Sequence, residues 1–297
     1  MFKIAISNQH LLKALSKLPF IGRHFCLDLR QLPDVEDEDV FFRSIDDLRL
    51  VNGTSKTTVN NRFRNIDERL VSLLNKDDRY RIHDVAVSDG ITAVNLYHEL
   101  ASNGFDFEYQ ISDKFASIFY QRKNGVGLFC DTDGEVLAAQ FFGMVFNRHL
   151  SRRFCLSQIL GRWFASGTHE LMSKKQEILL LNPSVQRLLN EKRIRFESYD
   201  VYNPDNRIRK FDIVRCMNIL NPGIFDEPTL LIGLRNIINS VDANGLWIVG
   251  RTDIDSGINN ATIFRKRNGN MEVMEEFGIG TEIKDLIFSI ASGHQAK

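Results

Sequence analysis

The residues with the greatest chemical potential lie in the segment His83-Asp84-Val85-Ala86-Val87-Ser88-Asp89-Gly90. A strand-like run, Arg81 to Ala86, ends in it, and a helix-like run, Ile91 to Ala101, follows it. Ligands of open α/β sheets bind outside the carboxyl ends of the strands, so a ligand would meet the chain here. Ala86, Ser88 and Gly90 are small, which leaves the backbone open to close approach. The helix adds unpaired N–H groups and the positive end of its dipole. Asp113 closes the next strand-like run, in Ile111-Ser112-Asp113-Lys114. A carboxylate placed there can accept hydrogen bonds from both hydroxyls of a ribose. A turn-capping Asp84 and an ordinary strand-end Asp113 are the plain alternatives.

A nicotinamide dinucleotide competes for the same turn. Its fingerprint is G-x-G-x-x-G, because the backbone must cradle a pyrophosphate. The turn reads Ala86-x-Ser88-x-Gly90 and does not fit. Segments further along narrow the choice: Phe196-Glu197-Ser198-Tyr199-Asp200-Val201, Phe211-Asp212-Ile213-Val214-Arg215-Cys216-Met217-Asn218-Ile219-Leu220, and Asp242-Ala243-Asn244-Gly245-Leu246-Trp247-Ile248-Val249-Gly250. In order and spacing, together with Asp84 to Gly90 and Asp113, they resemble the class I S-adenosylmethionine-dependent methyltransferases. The resemblance covers residues 80–119 and 177–277. It departs from the D-x-G-x-G-x-G motif in having Ala86 and Ser88 at two glycine positions.

The resemblance implies S-adenosylmethionine as cofactor, bound by Asp84, Ala86, Ser88, Gly90, Asp113 and Asp200, the last near the adenine. It also implies methyl transfer to a small-molecule acceptor. Asn218 stands where such enzymes place a residue near the methyl group, although an asparagine there can equally cap a helix or satisfy backbone groups. A non-catalytic binding protein on the same fold, and a peripheral membrane enzyme acting on a lipid-like substrate, are the competing readings.

The elements that must position these residues can be read from periodicity. Phe105, Phe107, Tyr109 and Ile111 alternate with Asp106, Glu108 and Gln110, the period of a strand. Strand-like runs at 177–181, 194–199, 211–216 and 245–250 are mostly separated by helical patterns such as Thr229 to Val241. Strands alternating with helices argue for a mainly parallel sheet covered on both faces. The resemblance implies a Rossmann-like sheet of seven strands. Ala261 to Lys266 and Met271 to Phe277 flank Arg267-Asn268-Gly269-Asn270, a strong hairpin signal, so the sheet ends in antiparallel strands. The domain expectation is an N-terminal helical or cap segment at 1–78 and a cofactor domain at 79–297. The latter carries an insertion at about 122–175. Within it, Gly127 to Cys130 and Val136 to Ala139 read as a hairpin. The next stretch reads as a helical lid with Phe142, Val145, Phe146, Leu150, Trp163 and Phe164 on it. Arg148, Arg152, Arg153 and Arg162 make it basic as well as aromatic, so weak contact with a membrane surface is a further expectation.

Composition excludes several classes. Lys plus Arg and Asp plus Glu are both 38 in 297 residues, whereas dedicated nucleic-acid binders carry a basic excess. No nucleic-acid partner is expected. Cys26, Cys130, Cys155 and Cys216 form no C-x-x-C pair, and no histidines stand at zinc-ligand spacing, so no metal is expected. Reduced thiols and the lack of a signal-like apolar core suggest the cytoplasm. The most apolar stretch is about half the twenty residues that a membrane-spanning helix needs.

Overall fold

The computed structural model describes residues 3–20, 22–46, 48, 56, 58–123, 125–147, 175–206, 209–253 and 255–291. In chain order these form β1 (Lys3–Ile6), α1 (Gln9–Ser16), β2 (Phe25–Leu27), α2 (Glu38–Ile45), α3 (Arg64–Ser72), β3 (Arg79–Val85), α4 (Ile91–Ser102) and β4 (Asp106–Asp113). Then come β5 (Ser117–Lys123), β6 (Val126–Cys130), β7 (Val136–Phe141), β8 (Met144–Asn147), β9 (Gln176–Leu179), α5 (Pro183–Asn190) and β10 (Arg195–Ser198). The last elements are β11 (Phe211–Met217), α6 (Glu227–Ser240), β12 (Val241–Thr252), β13 (Asn259–Arg267), β14 (Asn270–Phe277) and α7 (Lys284–Ala291). No helix among the described residues is long and apolar enough to cross a membrane.

The chain forms two compact units, 1–58 with 115–187 and 59–114 with 188–297. The first boundary falls at 58/59 rather than 78/79, because α3 packs on α4 and belongs with the second unit. The first unit is built on a seven-stranded sheet in the order β2-β1-β8-β7-β6-β5-β9. The N-terminal segment contributes strands as well as helices to this unit; β1 and β2 pair in parallel, and β1 joins β8. The segment 177–181, expected in the doubly wound sheet, pairs instead with β5 as β9.

The hairpin β6–β7 forms as expected. The helical reading of Phe142, Val145 and Phe146 does not hold. Phe142 and Gly143 have φ of 46° and 75° and turn the chain between β7 and β8, so a two-residue hairpin occupies that stretch. The rest of the expected lid, with Leu150, Trp163, Phe164, Arg148, Arg152, Arg153 and Arg162, lies outside the described residues.

The second unit is the Rossmann-like one. Its seven strands run in the order β10-β4-β3-β11-β12-β13-β14. The first five are parallel, and β13 and β14 are antiparallel. The last two are joined through Asn268 and Gly269, with φ of 51° and 85°, the left-handed pair that a tight hairpin requires. In order of appearance the parallel strands are 3-2-1-4-5, the doubly wound arrangement. From β3 the chain crosses through α4 to one side, and from β11 it crosses through α6 to the other. Right-handed crossovers then place α4 and α6 on opposite faces. The α6 face is a continuous apolar core that includes Val85, Val214, Cys216, Leu234, Ile237, Trp247 and Phe264. The opposite face of the same strands carries Asp84 and Arg215, which are Cα partners across the β3–β11 pair.

Candidate functional site

The crevice between β3 and β11 is the switch point of the doubly wound order, and the turn after β3 stands at its mouth. That turn has φ of 58° at Ala86, 61° at Ser88 and 83° at Gly90. Left-handed backbone thus recurs at the three positions where the methyltransferase motif has glycine, although only one glycine is present. The turn is fixed from the neighbouring strand. Val87 donates its N–H to the Ser112 carbonyl at 3.0 Å, and Ser88 donates its N–H to Asp113 Oδ2 at 2.8 Å. Asp113 therefore faces the turn and is 7% exposed.

Left-handed geometry costs an L-residue about 1–2 kcal/mol. Glycine removes that strain but gives back about 0.5–1 kcal/mol through its freer unfolded chain. Ala86→Gly is therefore expected to stabilise the protein by about 0.5–1 kcal/mol. Ser88→Gly should stabilise it more, because the Ser88 hydroxyl is buried without a hydrogen-bond partner, a further penalty of about 1 kcal/mol. Urea midpoints at unchanged m-value check both, and destabilisation by either would refute the strain.

The end of β10 lies beside the same turn. Tyr199 donates its N–H to the Asp113 carbonyl at 3.3 Å. Asp200 is ion-paired with Lys114 at 2.9 Å and accepts the Tyr202 N–H at 3.0 Å. Ala86, Ser88, Gly90, Asp113 and Asp200 are thus gathered at the carboxyl edges of β3, β4 and β10. Asn218, with φ of 62°, ends β11. Its side chain accepts the Thr252 N–H at 2.8 Å, and its own N–H donates to the Gly250 carbonyl. It stitches the ends of β11 and β12 together.

The side chain of Asp84 is turned into the α4 face of the sheet. Tyr109 donates its hydroxyl to Asp84 Oδ2 at 3.1 Å, and Arg215 binds the same oxygen through Nε and Nη2. Arg215 also donates Nη1 to Asp67 Oδ1 at 2.6 Å and Nη2 to the Thr92 carbonyl at 2.8 Å. Asp84 is thus linked through Arg215 to α3 and to the first turn of α4. Burial alone would lower Arg215, but Asp67 and Asp84 more than offset that and hold it charged. Burial pushes Asp67 up to about 6, with Arg215 opposing.

Asp67, Tyr109 and Arg215 were not singled out by sequence. The available signal was an arginine inside the apolar strand Phe211–Met217, since a buried guanidinium must find acceptors. His83 is a core residue: it is 4% exposed, burial lowers it to about 4, and its Nε2 lies 2.8 Å from the Ser112 hydroxyl. A polar cleft of about 530 Å³ opens on the α3–α4 surface, lined in part by Arg64, Asp67, Asn95, His98 and Glu99. None of the expected site residues lines it.

No protein-family model matches the chain, and no curated protein matches it. Among solved structures, the chain is similar to the N-methyltransferase NodS from Bradyrhizobium japonicum WM9 in complex with S-adenosyl-L-homocysteine. Identity is 10%, the match covers 72% of this chain and 73% of that one, and the TM-score is 0.34. An O-methyltransferase family protein from Burkholderia thailandensis matches at 10% identity and TM-score 0.33, over 65% of this chain and 39% of its own length. The [4+2]-cyclase SpnF matches at 10% identity and TM-score 0.30, over 64% and 47%. These likenesses are remote, and they include different chemistries. Function must be argued from the site itself.

Proposed function

We propose that the Rossmann-like unit binds S-adenosylmethionine and transfers its methyl group to a small-molecule acceptor. The observation that carries this reading is the turn after β3. Three left-handed residues stand at alternate positions opposite an almost fully buried carboxylate, at the switch point of a doubly wound sheet. The strain at Ala86 and Ser88 is retained where a ligand would need the backbone close and the side chains small, which is where strain accompanies function. The partnerless Ser88 hydroxyl adds a polar group suited to a ligand. Asp113 would hold the ribose hydroxyls, while Ala86, Ser88 and Gly90 would border the nucleoside. Asp200 would lie near the adenine, and Asn218 near the methyl group. Asp84 would serve by fixing the turn. The cofactor supplies an activated methyl on a sulfonium, itself a good leaving group. The protein's contribution is then to hold acceptor and methyl in line.

Calorimetric titration with S-adenosylhomocysteine tests the reading, and no binding at millimolar ligand would remove it. Asp113→Ala is expected to weaken binding by about 2 kcal/mol, about thirtyfold, through lost charged hydrogen bonds. Asp113→Asn keeps an acceptor for the Ser88 N–H and serves as the fold control. Unchanged affinity in both variants would reject the role of Asp113.

A further inference from the structure

The polar cleft on the α3–α4 surface has no part in the nucleoside reading. Its volume of about 530 Å³ lies within the range of small-molecule sites. Asp67 lines it although that residue is only 3% exposed. Within the protein, Asp67 Oδ1 accepts Arg215 Nη1 at 2.6 Å. Asp67 Oδ2 receives no hydrogen bond from any described residue, although an ionised carboxylate can accept about four in all. Most of the donors nearby are committed elsewhere. Asn95 Nδ2 donates to the Asn60 side chain at 2.8 Å, and the Ser102 hydroxyl donates to the Glu99 carbonyl at 3.1 Å. Arg64 Nε is held by Glu68 at 2.7 Å, on an exposed side chain.

Glu99 brings a second, half-buried carboxylate to the same cleft from α4. Its Oε1 accepts Asn103 Nδ2 at 3.0 Å. Burial pushes the Asp67 carboxyl up, Arg215 opposes, and the charges of Asp84 and Glu99 add to the rise. A buried carboxylate with one oxygen unbonded is unfavourable, and a bound cation carrying N–H donors corrects this through charge-assisted hydrogen bonds. Among the described residues no three carboxylates, histidines or cysteines are grouped to hold a metal ion, and the cleft is far larger than one ion needs. From the cleft, the open Asp67 oxygen within it and Glu99 beside it, we infer that the α3–α4 surface is a second binding site, which takes a small organic ammonium through Asp67 and Glu99. The inference stands apart from the nucleoside reading, since it uses none of the residues of the turn.

The test titrates 1,4-diaminobutane calorimetrically into the full-length protein at pH 7.5 and constant ionic strength. Its neutral counterpart 1,4-butanediol, and tetramethylammonium, which has the charge without N–H donors, are titrated in parallel. The wild type is expected to bind the diamine at about millimolar concentration or below and neither control. Asp67→Asn keeps a carbonyl for Arg215 Nη1, and Glu99→Gln keeps an acceptor for Asn103. Each should weaken the diamine by about tenfold or more, with thermal unfolding as the fold control. Arg64→Ala should bind it at least as well as the wild type, because a cation at the cleft opposes a second one. The inference is overturned if the wild type does not bind the diamine or binds either control as tightly. It is overturned equally if Asp67→Asn or Glu99→Gln binds the diamine as the wild type does, or if Arg64→Ala loses it.

Discussion

Arg215→Met is expected to lower the unfolding free energy by about 3–5 kcal/mol, the usual loss when one partner of a buried charge cluster is removed. Arg215 is 1% exposed, and Asp67 and Asp84 are 3% and 4% exposed. Its guanidinium binds both carboxylates and the Thr92 carbonyl. Methionine fills much of the volume but leaves Asp67 and the Thr92 carbonyl without the Arg215 donor, and Asp84 with the Tyr109 hydroxyl in place of a guanidinium. Either the carboxylates stay charged at high desolvation cost or they take up protons, so the variant should regain stability as pH falls.

The triple variant Arg215→Met, Asp67→Asn, Asp84→Asn removes the stranded charges. It should recover most of the loss, because uncharged replacements of a buried ion cluster are often neutral. Denaturant titrations of the single and triple variants decide the matter. Equal loss in both would mean that Arg215 acts through packing rather than charge. The cluster also ties α3, β3, β4 and the first turn of α4 together around residues 86–90. The single variant should therefore lose S-adenosylhomocysteine binding even under conditions where it remains folded.

What the sequence made legible and what it hid follow from the range of the interactions. The parallel strands were readable because period-two runs and the helices between them are local patterns. Asn268-Gly269 announced its hairpin because the turn requires left-handed residues and these two supply them at low cost. The turn at 86–90 was located, and Asp113 was placed opposite it, since strand ends in a βαβ unit are set by local length. The sheet of the first unit was hidden because β1 pairs with β8, more than a hundred residues away in the chain. Phe142, Val145 and Phe146 sit at helical spacing by coincidence. In the structure the first is the hairpin tip, and the other two pair with Gln140 and Ala139. The charge cluster around Asp84 was hidden for the same reason, since Arg215 meets Asp84 across 131 positions and Asp67 across 148. An arginine in an apolar strand signals that acceptors exist without saying where they are.

The charge count of that cluster leads to the second large effect. One guanidinium faces two carboxylates, so full ionisation leaves one buried negative charge uncompensated. Asp67 bears it, and burial pushes its carboxyl up to about 6 from 3.8. A group whose folded-state pKa is raised contributes stability that is complete below its unfolded pKa and is lost as pH rises through the folded value. A shift of about two units corresponds to about 3 kcal/mol, lost between about pH 4 and pH 6 and absent above. Wild-type stability alone will not isolate this contribution, because Asp28, Asp37 and Asp242 are lowered by their own partners and act in the opposite direction.

The difference between wild type and Asp67→Asn does isolate it. Asparagine keeps a carbonyl for Arg215 Nη1 and cannot ionise. Whatever its amide loses in packing is the same at every pH. Relative to its value near pH 4, the variant should gain about 3 kcal/mol on the wild type by pH 7.5, read from urea midpoints across the range. A constant difference over that interval would mean that Arg215 neutralises both carboxylates together, and that no proton is held beside the first turn of α4.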